Sequence, residues 1–553
     1  MYRYLFIFLI CFSFELSAQT DDFDDWSQIS VPEHVYQYSD NGVRRMPSKM
    51  GSKQNAALTC IGSPKVPVIL VQFADRRFYA SGKTEDEIVH SYNLFFNGKD
   101  NEEVYNVTHS RGSIQTYFKD QSLGAFTPEF EIIGPLTLDK SYTAYGYNSS
   151  YTKDSEIFAF YREALDKAVK EKNVDWSKFD NDSNGIVDMV FFIHAGWGEN
   201  VVHSYDPDAI WAKESTTSLT VNVDESHSIT FGCYGVCAEA RPIKSSQIND
   251  DKLSGNYGTT GYNEANLRMD GIGVCIHELS HALGLPDFYD TNNVAFGMDF
   301  WSVMDYGEYG NSGFNPVGYT AYERDFMGWQ ELEVLTDTTI LTIECFAKGG
   351  HGYKIINENN EDEYYVIENR QPYGWDDYFC RPCHGLMITH VDYDRSRWNG
   401  NYVNTDSKHQ RMTIIAANDS YLGTNTYATA AQMKESLSGN LFPYTKPSQS
   451  LTNTTQPAAK VYAGEFMNKP IYDITENEDS TITVYYLKSK ADFEKDFTDE
   501  ISSMSDSDYL NIYDMRGIHI CKCMRDELYK YAFNRGIYLV KFSNGKVRKI
   551  LLK

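Results

Sequence analysis

Two hydrophobic runs in the first half of the chain show no alternation with polar residues. They are Val66 to Phe73 (VPVILVQF) and Met189 to Ile193, and each reads as a central strand buried on both faces. Helical stretches lie between them, notably Ser155 to Lys172, so an α/β unit is predicted over roughly residues 63–335. After Thr338 the pattern changes. Short runs such as Tyr364 to Ile367, Leu386 to Val391 and Met412 to Ala416 are separated by Gly, Asn and Asp, which predicts a β-rich region over 336–487. The polar stretch Lys488 to Asp508 reads as a linker, and Tyr509 to Lys553 as a last β-rich piece. Residues 19–62, with an acidic cluster from Asp21 to Asp25, carry no sustained period and are expected to be a pro-segment or N-terminal linker.

The first 18 residues set the compartment. Arg3 precedes the apolar run Tyr4 to Phe14, and Leu16-Ser17-Ala18 offers small residues before Gln19, the pattern of a secretory signal peptide. Eleven apolar residues are too few to span a bilayer, which takes about 20. No other segment is long and apolar enough, so a mature chain without a transmembrane segment is expected, secreted or at the cell surface. Of 553 residues 42% are hydrophobic and 14% aromatic, enough to build buried cores. With 50 Lys and Arg against 77 Asp and Glu, the net charge of -27 opposes nucleic acid as a partner. Nine cysteines follow Cys11, an odd number, so at least one thiol is free. Cys233 with Cys237, or Cys380 with Cys383, could close small loops, and neither pair has partners at zinc-ribbon spacing.

Candidate chemistry is concentrated in Gly271 to Asp290 (GIGVCIHELSHALGLPDFYD). On a helix, His277 and His281 lie four residues apart on one face and can bind one Zn²⁺, with Glu278 beside the metal. Gly284 can leave the helix with positive φ and Pro286 prevents its resumption, which brings Asp287 to where a third ligand can swing back. Downstream, Met304 and Tyr306 in WSVMDYG match the turn of metzincin proteases, where a Met lies beneath the zinc and a Tyr two residues on can approach the substrate oxyanion. Glu323 in AYERDFMGW is a second candidate for the third ligand, one that would need a different zincin arrangement.

A separate cation site is expected at Asp180 to Asp188 (DNDSNGIVD). Asp180, Asp182, Asn184 and Asp188, with the Ile186 carbonyl, resemble the first part of an EF-hand loop, and Ca²⁺ is the natural guest. The bidentate Glu of that loop is missing, since Phe191 stands in its place.

The zinc stretch, VILVQFAD at Val68 to Asp75, SIQTYFKDQSLG at Ser113 to Gly124, HAGWGE at His194 to Glu199 and AYERDFMGW together resemble the immune inhibitor A-like secreted metalloproteases, in their Bacteroidetes form. The resemblance covers roughly residues 63–480 and departs from the family at Cys380 to Cys383 (CRPC). It implies a metzincin-like α/β protease domain followed by β-rich structure, hydrolysing protein or peptide substrates. YLNIYDMRG and the closing RGIYLVKFSNGKVRKILLK are similar to the C-terminal sorting domain of type IX secretion substrates, which implies passage by the Sec and type IX machineries. The alternative function is an inactive adhesion or glycan-binding protein retaining the fold. Such a copy would be expected to have lost Glu278 or a histidine. The segment Gln19 to Ser63 is expected to inhibit until cut, with Asp21, Asp22, Asp24, Asp25 and Cys60 as groups able to reach the zinc.

Overall fold

The computed structural model describes residues 56–149, 152–202, 206–242, 267–292, 294–426, 428–505, 507–524, 527 and 536–552. The expected signal peptide, most of the expected pro-segment and parts of the C-terminal tail lie outside the described residues. Strands Lys65–Gln72 (β1), Glu129–Thr137 (β2), Ile186–Val187 (β3), Val190–Trp197 (β4), Lys213–Asn222 (β5), Ser228–Pro242 (β6) and Leu267–Met269 (β7) form one mixed sheet. Its parallel spine runs β2-β1-β4-β6-β3, and β5 and β7 join β6 antiparallel.

The unbroken apolar runs follow from two covered faces. Val66, Val68 and Leu70 point into one core while Ile69, Val71 and Phe73 point into another. In β4, Phe191 and Ile193 share the first core and Val190 and Phe192 the second. A sheet wet on one face would carry polar residues at alternate positions; this one has no wet face in its centre. Helix Ile157–Glu171 covers the second face with Phe160, Tyr161, Ala164, Leu165 and Ala168, and Tyr161 stacks on Phe192 and Tyr234. Helix Gly273–Ala282 packs into the first core through Cys275, Ile276, Leu279 and Ala282.

The β-rich region holds two sheets. One is five-stranded, built from Glu333–Val334, Tyr353–Asn357, Asn360–Arg370, Gly385–Asp392 and Met412–Ile414; the other is four-stranded, from Thr339–Ile343, Gln449–Leu451, Ile471–Glu476 and Ile482–Tyr486. Alternation again explains the packing. Tyr364, Val366, Met387 and Val391 join the core of the helix Gly273–Ala282, whereas Tyr365, Ile367, Leu386 and Ile388 face the four-stranded sheet. One hydrophobic core therefore runs across the boundary read at residue 335.

Residues 56–62 also fold into this unit. The Leu58 amide donates to Ala282 O at 3.0 Å, the Cys60 thiol to Leu283 O at 3.4 Å, and the Trp329 indole to Cys60 O at 2.7 Å. They pack against the C-terminal end of the helix Gly273–Ala282. The stretch read as a linker forms helix Lys490–Ser502, started by a capping box between Ser489 and Asp492. Its polar composition conceals a narrow stripe at every fourth residue. Phe493 meets Tyr485, Phe497 and Ile501 pack on the tail core, and Glu500 binds Lys546 and Arg548. The tail itself is a four-stranded antiparallel sheet, Tyr509–Asp514, His519–Met524, Gly536–Phe542 and Val547–Leu552. Cys233, Cys237, Cys380 and Cys383 are buried and unbridged, so neither small loop is closed by a disulfide. Among the described residues no helix is long and apolar enough to cross a membrane.

Candidate metal centre

Every residue of the helix Gly273–Ala282 is buried, so its polar side chains are held away from bulk water. His277 and His281 turn their rings toward one point, with their Nε2 atoms 3.2 Å apart. Each ring is aimed from its other nitrogen: Nδ1–H of His277 donates to Val303 O at 2.9 Å, and Nδ1–H of His281 to Leu285 O at 2.7 Å. A carbonyl only accepts, so in the neutral rings both Nε2 atoms present lone pairs. Facing lone pairs at this distance repel unless a cation or proton lies between them.

The helix ends at Leu283, and Gly284 takes φ 100°, a left-handed conformation that folds the chain back over the helix end. Leu285 O thereby reaches His281, and Asp287 Oδ1 arrives 3.1 Å from His277 Nε2 and 3.2 Å from His281 Nε2. Ligands about 2.0–2.1 Å from a tetrahedral zinc lie roughly 3.3–3.4 Å from one another. The observed triangle of donor atoms is close to that size, so the donor set fits such a metal.

The turn bearing Met304 lies behind this triangle. Met304 is fully buried, and its carbonyl accepts the Phe288 amide at 2.8 Å, while the neighbouring Val303 carbonyl holds His277. One turn thus orients the first histidine and the chain beside Asp287. Glu323 is engaged elsewhere: its carboxylate accepts from Ser302 Oγ and from the Thr320 amide, both at 2.6 Å.

Glu278 is 4% exposed, and its Oε2 has no hydrogen-bond partner among the described residues. A buried carboxylate oxygen without a donor costs about 1–3 kcal/mol, and here it leaves Glu278 able to accept a proton or hydrogen bond from a group entering the site. Glu308 Oε2 is unbonded in the same way and lies 3.7 Å from His277 Nδ1. Burial pushes the Glu308 carboxyl up to about 7 against the opposing pull of His277. Burial alone would lower His277, but Glu308, Asp287 and Glu278 outweigh it and push the imidazole up to about 10 in the metal-free chain. The pocket attracts positive charge. Tyr306 follows on the short turn Tyr306–Tyr309, its ring beside those of Tyr289 and Tyr309.

The family model described as Immune inhibitor A peptidase M6, catalytic domain, matches residues 53–331. The chain belongs to the immune inhibitor A peptidase M6 family. The match contains the histidine pair, Glu278, Asp287 and the Met304 turn. Two curated relatives extend the comparison. "Pre-pro-metalloprotease PrtV" of Vibrio cholerae serotype O1 is 25% identical over 234 residues, 39% of this chain and 23% of the relative. "Immune inhibitor A" of Bacillus thuringiensis subsp. alesti is 25% identical over 304 residues, 50% of this chain and 41% of the relative. The chain therefore spans less than half the length of either.

In this M6 chain the expected cation loop comes together in part. Asp180, Asp182 and Asp188 offer carboxylate oxygens within 4.8 Å of one another. Asn184 Oδ1 instead accepts the Ile186 amide, and Asn184 Nδ2 donates to Asp182. Gly185, at φ 86°, lets the loop turn so that Asp180 accepts the amides of Asn184 and Gly185. Cys60, expected among the groups able to reach the zinc, is turned to Leu283 O instead.

Several residues around the candidate metal centre were not legible in the sequence. Val303 and Leu285 act through backbone carbonyls, which any residue type supplies. Asn401 binds Asp287 from 114 positions away, in a region read only as β-rich. Glu308 had a weak signal, an acidic residue two positions after Tyr306.

Proposed function

We propose that the chain is an exported zinc-dependent endopeptidase in which His277, His281 and Asp287 hold the metal. The observation that carries this reading is the triangle of three buried donors beside the unbonded carboxylate of Glu278. Bound zinc would polarise the scissile carbonyl and lower the pKa of its water to about 7. Glu278 takes the proton of the attacking water and returns it to the leaving amine. Tyr306 donates a hydrogen bond to the oxyanion. The Nδ1 bonds of both histidines keep their rings aimed, and Met304 braces the site from below. Peptide bonds are cleaved without a covalent intermediate.

Asp180, Asp182 and Asp188, joined by Asn184 and the Ile186 carbonyl after rearrangement, would hold a structural Ca²⁺. The signal-peptide pattern and the sorting-domain resemblance of the tail support export through Sec and type IX machineries to the medium or cell surface. Casein digestion by the purified chain, abolished by a chelator and restored by Zn²⁺, tests the enzymatic reading. A zinc-replete chain that cleaves neither casein nor a peptide library would favour the adhesion alternative.

A further inference from the structure

We propose that Asn401 is a positioning residue of the metal site, which makes the β-rich region part of that site. This rests on the assignment of His277, His281 and Asp287 as metal ligands. Asn401 follows the short helix Arg395–Asn399 and is buried with φ 58°. Its carboxamide meets Asp287 twice. Asn401 Oδ1 accepts the Asp287 amide at 2.7 Å, and Asn401 Nδ2 donates to Asp287 Oδ2 at 2.6 Å.

The consequence for the carboxylate is specific. Oδ2 is drawn to Asn401, while Oδ1 is left facing the two Nε2 atoms at 3.1 and 3.2 Å. Asn401 thus selects one oxygen for the metal and fixes the carboxylate plane, the task of an outer-shell hydrogen bond. Few residue types can replace it. Asp would set a carboxylate against a carboxylate, Gln would carry its amide one methylene too far, and most others are disfavoured at a left-handed φ. The Asn401 loop is anchored independently by Trp398, fully buried beside Phe288 and Tyr322. Asn404 is a neighbouring staple with other partners: its Nδ2 donates to the carbonyls of Phe288 and Met412, both at 2.6 Å.

The test uses the full chain and two variants that avoid strain. Asn401→Gly deletes the carboxamide while keeping the left-handed conformation, and Asn401→Asp keeps the shape while reversing the donor. Zinc affinity is measured by competition with a chromogenic chelator, and the melting temperature of the metal-free chain is measured in parallel. Both variants should bind Zn²⁺ about 10- to 100-fold more weakly than wild type. Asn404→Ala should lower the melting temperature while leaving zinc affinity within about threefold of wild type. Wild-type zinc affinity in both Asn401 variants would overturn the proposal, as would equal weakening by Asn404→Ala. Failure of the wild-type chain to bind zinc at all would instead overturn the ligand assignment.

Discussion

Ser302 Oγ donates to Glu323 Oε1 at 2.6 Å, joining a buried carboxylate to the turn that carries Met304. The other Glu323 oxygen closes the capping box at the start of helix Ala321–Phe326 by accepting the Thr320 amide. Glu323 therefore ties a helix start to the turn beside the candidate metal centre. Burial pushes its carboxyl up to about 7, with the bonds from Ser302 and Thr320 opposing.

Glu323→Gln is expected to retain zinc and Asp287→Ala to lose it, read by metal analysis of the purified variants. The Gln variant should also alter the pH dependence of stability. In the wild type the unfolded Glu323 ionises near 4.5 and the folded one near 7. Between these values the unfolded chain binds fewer protons, so the contribution of Glu323 to stability falls as pH rises. The melting temperature of Glu323→Gln, relative to wild type, should climb across that window. A pH-independent difference would contradict the upward shift of this buried carboxyl.

Removing the carboxylate beside the proposed metal site should separate binding from chemistry. Glu278→Ala is expected to keep its zinc and lose about 10²- to 10⁴-fold in kcat. Tyr306→Phe should lose on the order of 10²-fold if its hydroxyl serves the oxyanion. Undiminished turnover by Glu278→Ala would remove it as general base, and an unchanged kcat for Tyr306→Phe would leave that residue structural.

The contact between Leu58 and Ala282 limits where the chain can be shortened. A chain beginning at Pro64 loses the Leu58 amide bond and two buried side chains, Leu58 and Cys60. Taken together, about 2–4 kcal/mol of stability should disappear relative to a chain beginning at Ala56. If residues 19–55 inhibit, the chain beginning at Ala56 will outpace one beginning at Gln19. Equal rates for those two chains would make the segment a spacer, and equal melting temperatures for the Ala56 and Pro64 chains would show that residues 56–62 add nothing to stability.

Calcium should raise the melting temperature through the Asp180 loop. The expected result is a rise on adding Ca²⁺ to a chelator-treated chain that is absent in Asp182→Ala. Asp188 serves less well as the test position, because it is buried whereas Asp182 is exposed, so its loss would disturb the fold as well as the loop. Identical calcium shifts in wild type and Asp182→Ala would exclude the site.

The sequence by itself determined the features carried by local periodicity and turn chemistry. Runs such as VPVILVQF exposed two-faced burial because each side chain alternates between two cores. The pair His277 and His281 was legible because four residues is about one helical turn, and Gly284 because only its freedom at positive φ returns the chain to that helix. Helix Lys490–Ser502 was missed because a one-residue-wide apolar stripe is lost in polar composition. Spacing after Gly284 and Pro286 already favoured Asp287 over Glu323 beside the histidines, and the tertiary structure puts Asp287 there while Ser302 and Thr320 bind Glu323. Tertiary structure alone decided that Asn401 grips Asp287 and that the β-rich sheet closes the same core. These pairings join positions far apart in the chain, and hydrogen bonds between them leave no periodic trace in the sequence that forms them.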